Sequence, residues 1–175
     1  MTAKRIALVS LMVAFLTTLF TAVERNIATA DDDSRRQALA GSWLETVTFP
    51  PDIRPPIKAL STFHEDGTIT ISDQGSVTTA GPMQGVFTAG HGVWKHIGGR
   101  RFAYTQLELI SDLTGNLVGY LKVRGILIVS KSGNAWADGS KSFAEILDTD
   151  GNVLFSVWVT NTARRIQLEL PPPAP

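Results

Sequence analysis

Residues 117–129 read LVGYLKVRGILIV, and the two alternating sets of side chains in this stretch decide the fold. One set contains only apolar residues and glycine, whereas the other places Lys122 and Arg124 at its centre. A period of two predicts a β-strand with one face against a core and the other toward water. Gly119 and Gly125 belong to the apolar set, and glycine inside a strand is typical of a bend or a close backbone approach. The stretch therefore predicts a curved sheet.

Short β-rich runs separated by turn signals continue on both sides of this strand. Asp66-Gly67, Gly98-Gly99 and the segment Asp148 to Asn152 each separate two runs, and such glycine-containing turns are typical of hairpins. The predicted strands are residues 44–49, 57–63, 68–72, 92–97, 102–111, 117–130, 142–147, 153–160 and 164–170, with a further short one at 85–88. A count of eight to nine hairpin-linked strands, apart from the short one, predicts an all-β, antiparallel up-and-down barrel of about eight strands, since closure removes exposed edges; a β-sandwich is the alternative.

The chain begins with the pattern of a secretory signal peptide. Lys4 and Arg5 precede an uncharged run at residues 6–20, and small residues follow at 28–30. We expect cleavage of residues 1–30, a mature start near Asp31 and a secreted or periplasmic location. An uncleaved anchor is the alternative, but the run is shorter than the ~20 apolar residues of a spanning helix. We therefore expect no stable membrane insertion after cleavage.

The rest of the chain reads as one domain between two short ends. Residues 31–38 form a charged, flexible lead-in, residues 39–170 form the barrel domain, and residues 171–175 form a proline-rich tail that cannot join a ladder. No sequence feature indicates an oligomeric state.

Composition excludes several classes of function. The chain has 16 basic and 16 acidic residues and no cysteine. No basic stripe is present, so no nucleic-acid partner is predicted. Thiol catalysis and cysteine-ligated zinc are excluded. His91 and His96 are an odd number of residues apart and point to opposite faces of a regular strand, so we predict no metal site and no cofactor.

Gly41-Ser42-Trp43 opens the first predicted strand, and Arg164 and Arg165 stand before the last one. This combination resembles the lipocalins and the wider calycin group, which are secreted eight-stranded barrels that hold small apolar ligands. The resemblance implies that Trp43 packs across the closed end of the barrel against a late arginine. We expect that arginine to be Arg164, which shares a face with the apolar residues that follow it.

The candidate binding residues are aromatic side chains on the central strands, namely Trp94, Phe102, Tyr104 and Tyr120. Glu45 and Glu108 lie in mid-strand on apolar faces, so they would enter a lumen if those faces point inward. The leading hypothesis is an exported barrel that binds a small apolar molecule in its lumen. We expect this cavity to be mainly apolar and lined partly by Trp94, Phe102 and Tyr104.

Two other classes of function stay open. No catalytic signature is present, but the same scaffold suits an isomerase or cyclase that acts on an apolar small molecule. Glu108, Tyr104 and Arg124 would then be the catalytic candidates, because a buried carboxyl group can act as an acid or a base. The third class is a structural or interaction protein with a filled core and no cavity.

Overall fold

The computed structural model describes residues 38–74, 77–80 and 83–171, and β-strands make up almost all of its regular structure. A short helical turn at residues 38–39 precedes them. The strands are β1 (Gly41–Thr48), β2 (Ile57–Phe63), β3 (Thr68–Asp73), β4 (Val77–Ala80), β5 (Met83–Phe87), β6 (Gly90–Gly98), β7 (Arg101–Ser111), β8 (Leu117–Val129), β9 (Ala135–Asp138), β10 (Ser142–Leu147) and β11 (Val153–Arg165).

The sheet closes on itself through antiparallel pairing of the first and last strands. Going round the barrel, the order is β1, β2, β3, β6, β7, β8, β10 and β11, and β11 pairs again with β1. β9 and β10 together occupy one strand position of the barrel, between β8 and β11. β10 pairs with the first half of β8, and β9 pairs with the last residues of β8. β4 and β5 form an additional hairpin on β7. The expected all-β, antiparallel eight-stranded barrel is confirmed.

β8 has the two faces that its sequence predicts. Leu127 and Val129 are fully buried in the core, whereas Lys122 and Arg124 lie on the outer surface. Gly125 permits a close approach, because a Cβ atom at this position would meet the Tyr104 ring at 2.8 Å. The glycine therefore makes room for an inward-facing tyrosine of β7.

Two hairpin turns of the same construction join β7 to β8 and β10 to β11. In each, an aspartate accepts hydrogen bonds from the backbone and the side chain of an asparagine four residues later, Asn116 for Asp112 and Asn152 for Asp148. The fourth residue of each turn is a glycine with a positive φ, near 90°. The predicted hairpin at residues 148–152 is confirmed.

The end of the barrel at which β1 begins, here called the Trp43 end, is tightly packed. Trp43 is fully buried, and its Nε1 donates to the Leu39 carbonyl at 2.9 Å. The guanidinium of Arg165 lies 4.2 Å from the Trp43 ring centroid. The expectation that Arg164 makes this contact is wrong, because alternation along β11 turns Arg164 outward into solvent and Arg165 inward. Gly41 has a φ of 123° and leaves space for the same guanidinium.

The structure corrects some predicted strand boundaries. β11 continues through Arg165, so residues 166–170 do not form part of a separate final strand. β4 and β9 occupy segments in which no strand was predicted. The predicted signal peptide, all of the predicted lead-in except residue 38, and the tail after residue 171 lie outside the described residues. Among the residues described, no helix has the length and apolar character needed to span a membrane.

Candidate functional site

A cavity of about 60 Å³ lies inside the barrel toward the end opposite Trp43, here called the loop end, where residues 49–56 connect β1 to β2. Its apolar lining consists of Val47, Phe49, Ile57, Ile71, Leu121, Val123, Ala144 and Val159. Its polar lining consists of Glu45, Asp73, Tyr104, Gln106 and Asn161. The volume holds a few water molecules or a small chemical group, and it is below the roughly 300–1,000 Å³ of drug-sized pockets.

Glu45 brings a carboxyl group into this cavity from β1. It shares the inward face of the strand with Trp43 and is 5% exposed. Burial raises the pKa of Glu45 to about 7, and the hydrogen bond that Ser61 donates to its Oε1 opposes this rise. The carboxyl groups of Asp73 and Asp138 raise its pKa further. Glu45 can therefore exchange a proton near neutral pH.

Two further acidic side chains lie in this part of the interior: Asp73 lines the cavity from β3, and Glu108 lies beside the cavity on β7. Glu108 is 2% exposed, and burial together with the charge of Asp73 raises its pKa. Burial also raises the pKa of Asp73, while the positive charge of Arg54 in the β1–β2 loop lowers it. Gly90 is needed at this point of β6, because a Cβ atom there would meet Ile71 at 2.5 Å and Glu108 at 2.8 Å.

A chain of hydrogen bonds connects the cavity wall to β9 and β10. Asn161 Nδ2 donates to the Tyr104 hydroxyl at 3.2 Å, and that hydroxyl lies 2.9 Å from Ser142 Oγ. Ser142 Oγ donates to Asp138 Oδ1 at 3.0 Å, and the other Asp138 oxygen accepts from the Asn161 backbone at 2.6 Å. Burial raises the pKa of Tyr104, so its hydroxyl stays protonated. The chain fixes the orientation of Tyr104 and Asn161.

Of the four aromatic residues expected to bind a ligand, only Tyr104 lines the cavity. Trp94 and Phe102 pack edge to face in the core toward the Trp43 end, with ring centroids 5.6 Å apart. Tyr120 is on the outward face of β8, because it alternates with the inward Leu121. The expectation that Trp94, Phe102 and Tyr120 line this cavity is therefore wrong.

Arg124 is also placed outside the barrel. Its guanidinium lies 2.5 Å from Glu145 Oε2, and Lys122 approaches the same oxygen at 3.5 Å. These three residues form an ion-pair cluster on the outer surface of β8 and β10. Arg124 is thus separated from Glu108 and Tyr104 by the sheet itself, so the three expected catalytic candidates do not form one site.

Sequence reasoning missed three polar members of the interior, namely Asp73, Asp138 and Asn161. A signal existed for Asp73, since it continues the inward alternation of Ile69 and Ile71. Asn161 and Asp138 lie in short segments between predicted strands, to which the sequence assigned no structure. Within residues 38–74, 77–80 and 83–171, no group of three or more histidine or acidic residues is arranged to hold a metal ion.

Comparisons with known proteins do not assign the chain to a family. No family model matches the chain. No curated protein matches it. A solved structure described as a redesigned beta barrel is 18% identical, with a TM-score of 0.42, and the match covers 76% of this chain and 96% of the other.

Proposed function

We propose that this protein is a binding module that holds a small molecule inside its barrel, at the cavity of the loop end. The observation that carries the proposal is a mainly apolar cavity whose wall also presents buried polar groups. Ligand sites combine an apolar lining with a few convergent polar groups in this way.

The buried carboxyl groups add support because they oppose folding. Placing Glu45, Asp73 and Glu108 in one interior raises the pKa of each, mainly by burial, so ionising them inside the barrel is unfavourable. Perturbed carboxyl groups of this kind concentrate at functional sites. A purely structural barrel would be more stable with apolar residues at these positions.

The size of the cavity limits the ligand. About 60 Å³ accommodates a group of a few non-hydrogen atoms, so a larger molecule needs the β1–β2 loop to move. This loop carries four prolines between residues 50 and 56, and Arg54 lies 5.2 Å from the Phe49 ring. Its displacement would open the cavity toward solvent.

The lipocalin-like assignment and the export of the protein belong to the same proposal. The stacking of Arg165 on Trp43 beside Gly41 supports the first, because the resemblance implied a late arginine against this tryptophan. The charge and hydropathy pattern of residues 1–30 supports the second. In this proposal the mature protein works in the periplasm or outside the cell.

A second candidate function is an isomerase or cyclase in the same cavity. It is favoured by Glu45, whose pKa of about 7 suits a general acid or base, and which shares the cavity with Tyr104. Glu45 and Tyr104 would then be the reacting pair. Turnover of a bound molecule, abolished in Glu45→Gln, would distinguish this function from binding alone.

The binding function can be tested by titrating the protein with N-phenyl-1-naphthylamine, a neutral apolar dye that fluoresces in apolar surroundings, and in parallel with n-butanol. The dye is larger than the cavity and needs displacement of the β1–β2 loop, whereas n-butanol has only five non-hydrogen atoms. We expect one dye per barrel. Ala144→Leu should weaken dye binding at least about tenfold, because Ala144 lines the cavity and the added side chain fills it. Ala137→Leu makes the same change at an exposed position of β9 and should leave binding unchanged.

Thermal unfolding of both variants checks that each is folded, since overpacking a core costs about 1–3 kcal/mol. If neither the dye nor n-butanol binds, or if folded Ala144→Leu binds them as well as the original protein, the proposed site is wrong.

A further inference from the structure

The interior of the loop end has more hydrogen-bond acceptors than donors. Among the described residues, Asp73 Oδ1 and Asn161 Oδ1 are buried without a hydrogen-bond partner. Neither carboxyl oxygen of Glu108 has a partner in full hydrogen-bond geometry, although the Gln106 side chain approaches closely enough to lower the pKa of Glu108. The buried side-chain donor that also has no partner among the described residues is Trp136 Nε1. It lies with Trp43 and Phe63 in the core of the Trp43 end, away from these acceptors. The loop end therefore has fewer donors than buried acceptors, even with the Gln106 amide on the cavity wall.

These acceptors surround one cavity. Asp73 and Asn161 line it directly, and Glu108 lies beside it against Gly90 and Ile71. Asn161 is 4% exposed and is held in place by its amide bond to Tyr104 and its backbone bond to Asp138. Its free carbonyl oxygen is an unpartnered acceptor independent of the acidic residues.

We infer that the ligand of this cavity presents a primary ammonium group, whose N–H donors pair with Asp73, Glu108 and Asn161. The inference rests on the proposed binding function and specifies the chemistry of its ligand. An ammonium group carries a positive charge and three N–H donors, and both complement the buried acceptors. It is also small enough for the cavity. Hydrogen bonds between an ammonium and a buried carboxylate are stronger than those between neutral groups.

The charged residues around the cavity favour a cationic ligand over an anionic one. Glu45, Asp73 and Glu108 face the interior from β1, β3 and β7, and Asp138 approaches from β9. Arg54 in the β1–β2 loop acts on Asp73. The acidic groups outnumber this cation, so an anionic ligand would meet net repulsion wherever these groups are ionised.

Binding of an ammonium group should release protons. Burial holds the pKa of Glu45 near 7 and raises that of Glu108, so both carboxyl groups carry protons over part of the neutral range. A bound cation favours the ionised carboxylate and displaces these protons. Proton release is a signature that binding driven only by apolar contact would lack.

The test compares probes of one size and different charge by isothermal titration calorimetry at pH 7. The probes are n-butylammonium chloride, n-butanol and sodium butyrate, with potassium chloride as a competing spherical cation. We expect the amine to bind at least about tenfold more tightly than the alcohol, since one charge-assisted hydrogen bond contributes 1.4 kcal/mol or more. Its apparent enthalpy should change between phosphate and Tris buffers, which reports the released protons.

Variants locate the interaction. Glu108→Gln and Asp73→Asn should each weaken amine binding at least about tenfold. Glu145→Gln is the matched control, because Glu145 is similarly buried but pairs with Arg124 on the outer surface of the barrel. It should leave the affinity unchanged, and circular dichroism checks that all three variants are folded.

The possible outcomes separate this inference from the proposed function. If butanol or butyrate binds as tightly as the amine, the ammonium inference is wrong and the binding function stands. The same conclusion follows if potassium at the concentration of the amine abolishes amine binding. If the amine binds without proton release, or equally well to folded Glu108→Gln and Asp73→Asn, the inference is also wrong. If neither these probes nor the neutral dye binds, both proposals fall.

Discussion

Replacing Glu45 with glutamine isolates the energetic effect of a carboxyl group inside the barrel. The substitution keeps the shape of the side chain and an oxygen that can accept the Ser61 hydrogen bond, but it removes the proton equilibrium. In the folded protein the pKa of Glu45 is about 7, against an ordinary value of 4.5. The folded state therefore binds more protons than the unfolded state between these two pH values.

The sign of the effect follows from this proton uptake. The contribution of Glu45 to stability is fully present below pH 4.5 and is lost as the pH rises through 7. At 1.36 kcal/mol per pH unit, the loss amounts to about 3 kcal/mol. Glu45→Gln should avoid this loss, so its free energy of unfolding relative to the original protein should rise by about 3 kcal/mol between pH 4.5 and pH 8.

Urea unfolding followed by tryptophan fluorescence at pH 4.5 and pH 8 measures this difference. Comparing the two pH values cancels any pH-independent effect of the amide. Glu145→Gln is the control, because its buried carboxyl group pairs with Arg124, so the variant loses an ion pair and should gain no stability above pH 7. An equal pH dependence in Glu45→Gln and the original protein would refute the raised pKa and the acid–base role that depends on it.

Three further predictions concern the Trp43 end and the processed chain. Trp43→Ala should cost about 3–5 kcal/mol in urea unfolding, whereas Trp158→Ala, which is 54% exposed, should cost less than about 1.5 kcal/mol; similar losses would refute the packing argument. Arg165→Ala should cost about 2–4 kcal/mol because three backbone carbonyls lose a charged donor, and Arg164→Ala should change stability by less than about 0.5 kcal/mol; the reverse order would contradict the observed stacking. N-terminal sequencing of the exported protein should find Asp31 within a few residues, and recovery of only the full chain from membranes would contradict cleavage.

The sequence predicted the strands and turns well where local patterns were strong. Residues 117–129 alternate without interruption, and Asp-Gly and Asp-x-x-Gly-Asn segments fix turns through positive φ and aspartate hydrogen bonds, so neither depends on distant contacts. β9 was missed because it has only four residues, which is too short for alternation to predict a strand. It follows β8 directly as a hairpin, and only its second pairing, with β11, joins segments that are distant in sequence.

The candidate site was predicted only in part, for a related reason. Alternation placed Glu45, Glu108 and Tyr104 on inward faces, but it does not give the height of a residue along the barrel axis. Trp94 and Phe102 share the inward face and yet pack toward the Trp43 end, because strand stagger sets their level. Stagger is a property of the closed sheet, so the members of one cavity become evident only when all strands are in register.

The contact between the two ends of the domain also governs when the barrel can form. Arg165 donates hydrogen bonds to Ala38 and Ala40, which are 127 and 125 residues earlier in the chain, and β11 supplies the partner strand of β1. Such a high contact order places folding in the slow range of small domains. Closure must also wait until the last strand has left the ribosome, so every earlier state of the chain exposes an unpaired edge of β1.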